Sequence, residues 1–300
     1  MSKSFLKKTP GDYAFVSINT FWMIFLVLIT GYPIVHLLWL SLSGRGVGNE
    51  FLLLPQQPTM RYYETVFKDP QVLHSGFISA ARTVLGTTSM LLVTSAAAYA
   101  MSDRELVGHK VLWKYFLVPM FIGGGMIPSY LLMQWLGLTR TFWIYVIPGL
   151  FGGTYSMILI KTFVEQLPDG LIDAGEIDGA NDIQMFFRIV IPLSTPILAT
   201  IGLMASIGHW NAYTDTMIYN AEKQNLHTLQ YTLMLLLNRY SNSSIEAIQD
   251  MAKKAESSGV VSPVGLKAAL TFVTIVPIMC VYPFLQKYFV KGLLIGAIKA

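Results

Sequence analysis

Charge is scarce in this chain: Asp, Glu, Lys and Arg make up 13% of its 300 residues, where a soluble domain carries about a quarter. With 53% hydrophobic residues and a mean hydropathy of +0.52, that scarcity excludes an ordinary soluble domain and places the chain among membrane proteins. Cysteine is nearly absent as well. Cys280, the single thiol, rules out an intrachain disulfide and offers a metal no second sulfur. Set in an apolar run, it is expected to be a small buried hydrophobe. The formal charge of +4 and pI near 9.0 do not point to nucleic acid. Lys and Arg lie scattered at segment ends, with no basic and aromatic stripe between them.

Several kinds of chemistry are missing too. The sequence has no G-x-x-x-x-G-K-[ST] loop, so the chain does not bind ATP through a P-loop of its own. It has no H-E-x-x-H, no Cys or His pairs at metal spacing and no G-x-S-x-G elbow, and so no catalytic or metal site is expected. The cores of its apolar segments lack the carboxylates that proton- or sodium-coupled carriers use. A self-powered pump and an ion-coupled carrier are therefore disfavoured, which leaves a permeation subunit driven from outside.

What the sequence does contain is hydrophobic length. Six apolar segments, at about 14–42, 78–102, 112–137, 141–162, 194–219 and 268–288, predict an all-α polytopic membrane protein built as one domain over 1–300. The first run follows Lys3, Lys7 and Lys8 and outlasts the apolar region of a signal peptide, so it reads as an uncleaved span. Arg82 stands at the leading edge of the uncharged run Thr83 to Ser102 and is expected to snorkel to the interface. The run Ser95 to Ala98 allows close helix approach. The third segment is interrupted by Gly123, Gly124, Gly125 and Pro128, and the fourth contains Pro148, Gly149, Gly152 and Gly153. Two readings of the third break stay open: a kink used for packing, or a backbone opening onto a water-filled cavity. Residues 220–267 read as a polar extracytoplasmic loop, with Asp215 marking the far end of the fifth span.

One polar stretch lies between two apolar ones. Residues 169–193 carry Asp169, Asp173, Glu176, Asp178 and Asp182 before the first basic residue, Arg188, and cannot lie in hydrocarbon. Asp169 is expected to cap a short helix through Ile177, Gly179 to break it, and Asn181 or Asp182 to cap the next. Lys110, Lys114, Lys161, Lys287 and Lys291 flank spans on one face together with the N-terminal lysines. This loop and both termini are therefore placed in the cytoplasm.

The spacing in that stretch resembles a known family. Asp173-Ala174-Gly175, Asp178-Gly179-Ala180, Phe186, Ile189, Pro192 and Pro196 are similar to the EAA signature of bacterial ABC importer permeases. Asp173 replaces the usual Glu, Gly175 the second Ala, and Ile191 a Leu; Gly175 weakens its helix by about 0.5 to 1 kcal/mol relative to Ala. Ala98-Tyr99-Ala100, Gly108 with Lys110, Trp210-Asn211 and the tail from Phe289 to Lys299 resemble carbohydrate-uptake permeases of the maltose type, on the MalG side, within the LplC-like oligosaccharide branch.

The resemblance implies a bacterial plasma-membrane subunit that forms a heterodimer with a second homologous permease. It further implies two cytoplasmic ATPase subunits that bind ATP and Mg, while this chain binds no cofactor, and an extracytoplasmic binding protein that delivers the sugar. On this footing Asp173, Ala174, Gly175, Asp178, Gly179 and Ala180 contact the ATPase, and Ile189 and Pro192 orient the elbow. Gly292, Gly296 and Lys299 belong to a tail that reaches the ATPase. Tyr130, Trp210, Asn211, Tyr213 and Asp215 are candidates for the sugar path, since sugars are held by aromatic faces and polar side chains; interfacial Trp and Tyr also serve as membrane anchors. Two other classes stay open: an ABC permease for a peptide or amino acid, and a membrane scaffold or enzyme with no ATPase partner.

Overall fold

The computed structural model describes residues 10–44, 54–55, 57–151, 153–241 and 262–297. Gly152 and the N-terminal lysines thus lie outside the described residues. The chain falls into two compact units, residues 1–68 with 239–273 and residues 69–238 with 274–300. Among the described residues the regular structure is helical, with a lone bridge between Ser43 and Pro58.

In the first unit, helix α1 (Pro10–Leu42) begins with Pro at its first position and Asp12 in its first turn, both suited to a helix N-terminus. Its apolar side chains, Phe21, Trp22 and Phe25 among them, are exposed over most of its length. A 33-residue helix spans about 50 Å, so this one reaches across a bilayer with its flanks to spare. The short helix α2 (Arg61–Lys68) follows, and Tyr63 and Ser41 share a hydrogen bond of 2.6 Å.

The second unit is organised on helix α3 (Pro70–Ser102). Asp69 caps it, accepting the Gln71 N–H at 2.8 Å, and Pro70 occupies the first position, where a missing N–H costs nothing. Helices α4 (His109–Phe121) and α5 (Met126–Trp135) follow. Then come a 3₁₀ turn (Phe142–Tyr145), α6 (Ile147–Phe151) and α7 (Thr154–Val164). Three short helices, α8 (Asp169–Ile177), α9 (Asp182–Met185) and α10 (Ile191–Leu193), lead into α11 (Thr195–Asn211). The chain continues through α12 (Thr214–Tyr219) and α13 (Leu229–Ser241), and the last helix, α14, runs from Pro263 to Ala297. Three helices are long and apolar enough to cross a membrane alone, and three bent pairs bring the candidate spans to six among the described residues.

Four expectations change. The third segment is not one kinked helix: α4 and α5 differ in direction by 120°. Gly125, at φ +81°, supplies a turn that a side chain would resist. Arg82 is not at a helix end, because α3 starts at Pro70, so its side chain is buried (2% exposed) instead of reaching an interface. Cys280 is exposed on α14 rather than buried. Part of the polar loop at 220–267 is packed: His227, Thr228, Leu229, Tyr231 and Leu233 are buried as the chain enters α13. Leu229 and Leu233, four residues apart, share one face of α13, and the Thr228 hydroxyl is bonded to Thr216 at 3.1 Å. Residues 242–261 of that loop lie outside the described residues.

Candidate functional site

Two short helices form the polar elbow. Helix α8 starts after Pro168, which makes Asp169 its first helical residue and not its cap. It stops because Gly179 adopts φ +78°, and the Gly179 and Ala180 N–H groups close the helix on the carbonyls of Glu176 and Gly175. Helix α9 is then set by a capping box. The Asn181 side chain accepts the Gln184 N–H at 2.8 Å, and the Gln184 side chain accepts the Asn181 N–H at 3.1 Å. Asn181 is the cap, and Asp182 is the first helical residue.

Beyond α9 the helix widens to a π turn over Phe186–Val190, continues as α10 and then bends by 79° into α11. Pro192 lacks an N–H and cannot continue an α ladder behind it, and the Ile191 N–H reaches back to the Phe186 carbonyl. This register places Phe186 and Val190 in the core, with Ala98 and Met101 of α3, Met157, Ile160 and Val164 of α7 and Ile201 of α11. The elbow is therefore rooted in the spans.

Gly175 has a use that differs from the expected one. A Cβ there would sit 2.6 Å from Met185 Cε and 3.0 Å from Ile189 Cδ1, so the missing side chain admits this chain's own residues, not a partner's. Among the described residues nothing lies within 4 Å of a Cβ built on Gly179, and the residue is exposed. Asp173, Ala174, Asp178 and Pro192 are exposed; Ala180 and Ile189 are half-buried. Sequence reasoning misses the exposed apolar residues flanking the hinge, Ile177 at 86% and Ile183 at 70% exposure. Their signal is present, since an isoleucine stands on either side of the Asp-Gly-Ala step. Between the elbow and the end of α3 runs a groove of about 840 Å³ with Tyr99 and Ile172 in its walls and Asp103, Glu176 and Asp182 among its acids. Lys161 of α7 bonds Glu165 at 2.6 Å and lies 5.1 Å from the Trp113 ring centre, tying α4 to α7.

Toward the other end of α3 a buried polar seam appears. Ser75, Ser79, Arg82 and Gly86 repeat at helical spacing on one face. Ser75 meets Thr232 at 3.0 Å, Ser79 accepts the Leu229 N–H at 2.8 Å, and His209 packs so closely on Gly86 that a Cβ would lie 2.6 Å from its ring. Arg82 holds Asp215 with both terminal nitrogens, one of them at 3.1 Å, and donates to the Ala212 carbonyl at 3.2 Å. Its guanidinium carbon stands 4.5 Å from the Tyr145 ring centre. Ala212 is where α11 ends before α12 begins, so Arg82 satisfies a carbonyl freed by a helix break within a membrane segment.

The five path candidates separate. Asp215 is engaged by Arg82, and the Trp210 indole donates to the Thr274 carbonyl at 2.9 Å, which makes it a packing residue between α11 and α14. Tyr130 stacks on Tyr219 with ring centres 5.7 Å apart. Asn211 is exposed and Tyr213 half-buried near the helix break. Gly292 and Gly296 lie within the last turns of α14, while Lys299 is outside the described residues.

A polytopic helical protein whose acidic stretch at 169–193 folds into an elbow rooted among its spans has the build of a membrane permease subunit. The chain belongs to the family of binding-protein-dependent transport system inner membrane components, whose model matches residues 12–295. It is 30% identical over 279 residues to the polygalacturonan/rhamnogalacturonan transport system permease protein YtcP of Bacillus subtilis (strain 168), covering 92% of this chain and 95% of that one. It is 34% identical over 251 residues to protein LplC of the same organism, covering 83% and 82%. In structure it matches a chain of a bacterial ABC transporter involved in the import of the acidic polysaccharide alginate, with a TM-score of 0.84 and 26% identity over 95% of this chain and 99% of the other.

Proposed function

We propose that the exposed side of the elbow is where a cytoplasmic ATPase drives this permease, and that the cargo is an oligosaccharide. The chain is a permease subunit of a carbohydrate ABC importer, and it works with a second homologous permease, two ATPase subunits that bind ATP and Mg, and an extracytoplasmic solute-binding protein. Both termini and the elbow face the cytoplasm. Asp173, Ala174, Asp178, Gly179 and Ala180 meet the ATPase together with Ile177 and Ile183. Gly175 and Ile189 hold the hinge in shape from inside, and Pro192 orients it from the exposed side. The tail carrying Gly292, Gly296 and Lys299 contacts the ATPase pair, and Asn211 and Tyr213 line the sugar path.

Support for this reading is mechanical. Exposed apolar residues on a hinge are what an external protein needs, and Phe186 and Val190 connect that hinge to helices α3, α7 and α11 without a flexible linker. A push at the elbow moves spans. The exposed backbone at Gly123 to Gly125 supports a second permease as neighbour, because nothing among the described residues lies within 4 Å of a built Cβ there and hydrocarbon cannot satisfy freed backbone groups. The cargo follows from the relatives, which include permease proteins of polygalacturonan/rhamnogalacturonan and galactooligosaccharide transport systems.

Uptake by the full transporter in membranes tests the coupling role. Gly179→Glu adds a bulky acid at a residue held at φ +78°. It is expected to leave the permease inserted at normal abundance while abolishing oligosaccharide uptake and co-purification of the ATPase. Wild-type uptake in this variant would sink that role.

A further inference from the structure

We propose that the crevice between α3, α11 and α14 is a binding site for one hydrocarbon chain of a membrane lipid. It holds about 190 Å³. Helix α11 faces it with Leu203, Ser206, Ile207 and Trp210, and α14 with Pro277, Ile278 and Val281. Each set follows helical spacing and forms one stripe of its helix. The two stripes are pinned where the Trp210 indole donates to the Thr274 carbonyl at 2.9 Å. Pro277 stands one turn further on, and its ring crowds the turn before it. Beyond the pin a gap remains, closed on its third side by Ala80, Thr83 and Val84 of α3.

The wall decides what the gap can take. Its three polar side chains are all engaged within the chain: besides the Trp210 bond, Thr83 donates to the Ser79 carbonyl at 2.7 Å, and the hydroxyls of Ser206 and Thr87 meet at 3.2 Å. What remains toward the gap is carbon. Water needs polar partners and leaves apolar cavities dry. A sugar would find no hydroxyl to bind. Size excludes a partner's helix, which with its side chains is about 10–12 Å across and does not enter 190 Å³.

The surroundings supply the ligand. All three walls belong to candidate membrane spans. On the rim, Phe77 and Val84 of α3 and Val281 of α14 are exposed. Contacts between membrane helices favour small and polar residues, whereas these are large and apolar, as suits a surface turned to lipid. A lipid tail is as apolar as leucine, so moving it from the bilayer into the gap gains little hydrophobic energy. The gain is packing, because an empty gap leaves its wall atoms without dispersion partners. Selection is therefore by thickness and flexibility of the chain and not by headgroup.

The complete transporter in nanodiscs, with phosphatidylcholine carrying a diazirine at mid-chain, tests the site. Ile207 and Ile278 are half-buried, while Leu85 is exposed on α3 outside the wall. After illumination, adducts on the two isoleucines should exceed those on Leu85 by roughly fivefold, the ratio that a preference of ~1 kcal/mol for the gap gives. Phosphatidylglycerol with the same chain should give the same pattern. Ala80→Phe, which fills the gap, should remove that excess and leave Leu85 labelled as before. The comparison between residues is read on the wild type, so a variant that fails to assemble leaves the test standing. Adducts on Ile207 and Ile278 no more frequent than on Leu85 mean surrounding lipid only and overturn the site. So does their absence beside a labelled Leu85, the result expected if the second permease covers the gap, and so does an excess that Ala80→Phe leaves intact. A pattern that follows the headgroup overturns the assignment to the chain.

Discussion

At Arg82 the sequence suggests a side chain reaching for water, yet the fold turns it inward to bind Asp215 across 133 positions of sequence. Losing Asp215 leaves the Arg82 charge buried, and such losses run to about 3 to 5 kcal/mol; losing Arg82 leaves an aspartate whose side chain is 25% exposed, a smaller loss, while removing both charges is often near neutral. Asp215→Leu should therefore lower the melting temperature of the purified complex more than Arg82→Leu, and far more than the double variant does. Melting temperatures that fall additively would remove the pair from the account. Gly175 teaches a related point. Its cost to helix α8 is visible in the sequence, but its benefit, space for Met185 and Ile189, exists only once the two short helices are folded against each other.

Among the elements, the elbow is a hinge made from ordinary parts. Gly179 ends one helix through a positive φ, Asn181 starts the next through a reciprocal cap, and Pro192 and Pro196 flank the turn into α11. Asn181→Ala removes the cap and should cost about 1 kcal/mol, whereas Asn181→Asp should retain most of it. Hydrogen exchange of the amides at 183–185 measures the difference, with about fivefold faster exchange expected for the alanine variant, the ratio that ~1 kcal/mol corresponds to. Equal protection in all three proteins would show that the helix is held by packing alone. From the cap to the far end of α3 the structure is continuous: Tyr99 rests against Phe186 at 5.7 Å, and Arg82 lies on the same helix, about 25 Å back along its axis. One helix thus carries both the elbow's root and the polar seam around Arg82.

Over the molecule as a whole, much of the apolar surface is exposed among the described residues. Helix α1 is exposed along most of its length, and the backbone at Gly123 to Gly125 is uncovered. Lipid can cover the first but not the second, which supports a place for this chain in a larger complex. If the tail takes part in that complex, deleting residues 295–300 should lower ATPase activity stimulated by the binding protein while leaving the permease in the membrane. Unchanged stimulation would withdraw the tail from the interface.

Read alone, the sequence settles that its long apolar runs belong in a membrane and that the acidic stretch at 169–193 does not. Long apolar runs with an acidic stretch between two of them dictate a helical membrane protein with a watery loop, and the Asp-Gly-Ala step with its trailing Phe186, Ile189 and Pro192 marks that loop through its resemblance to the EAA signature, because spacing is a local property. Even the cap is narrowed to two neighbouring residues. Partners distant in sequence are not legible there. That Asp215 answers Arg82, that Trp210 is bonded to Thr274 and that His209 rests on Gly86 depend on which helix faces meet. A single sequence records what each face is made of, while what that face touches is set by the packing of helices far apart along the chain.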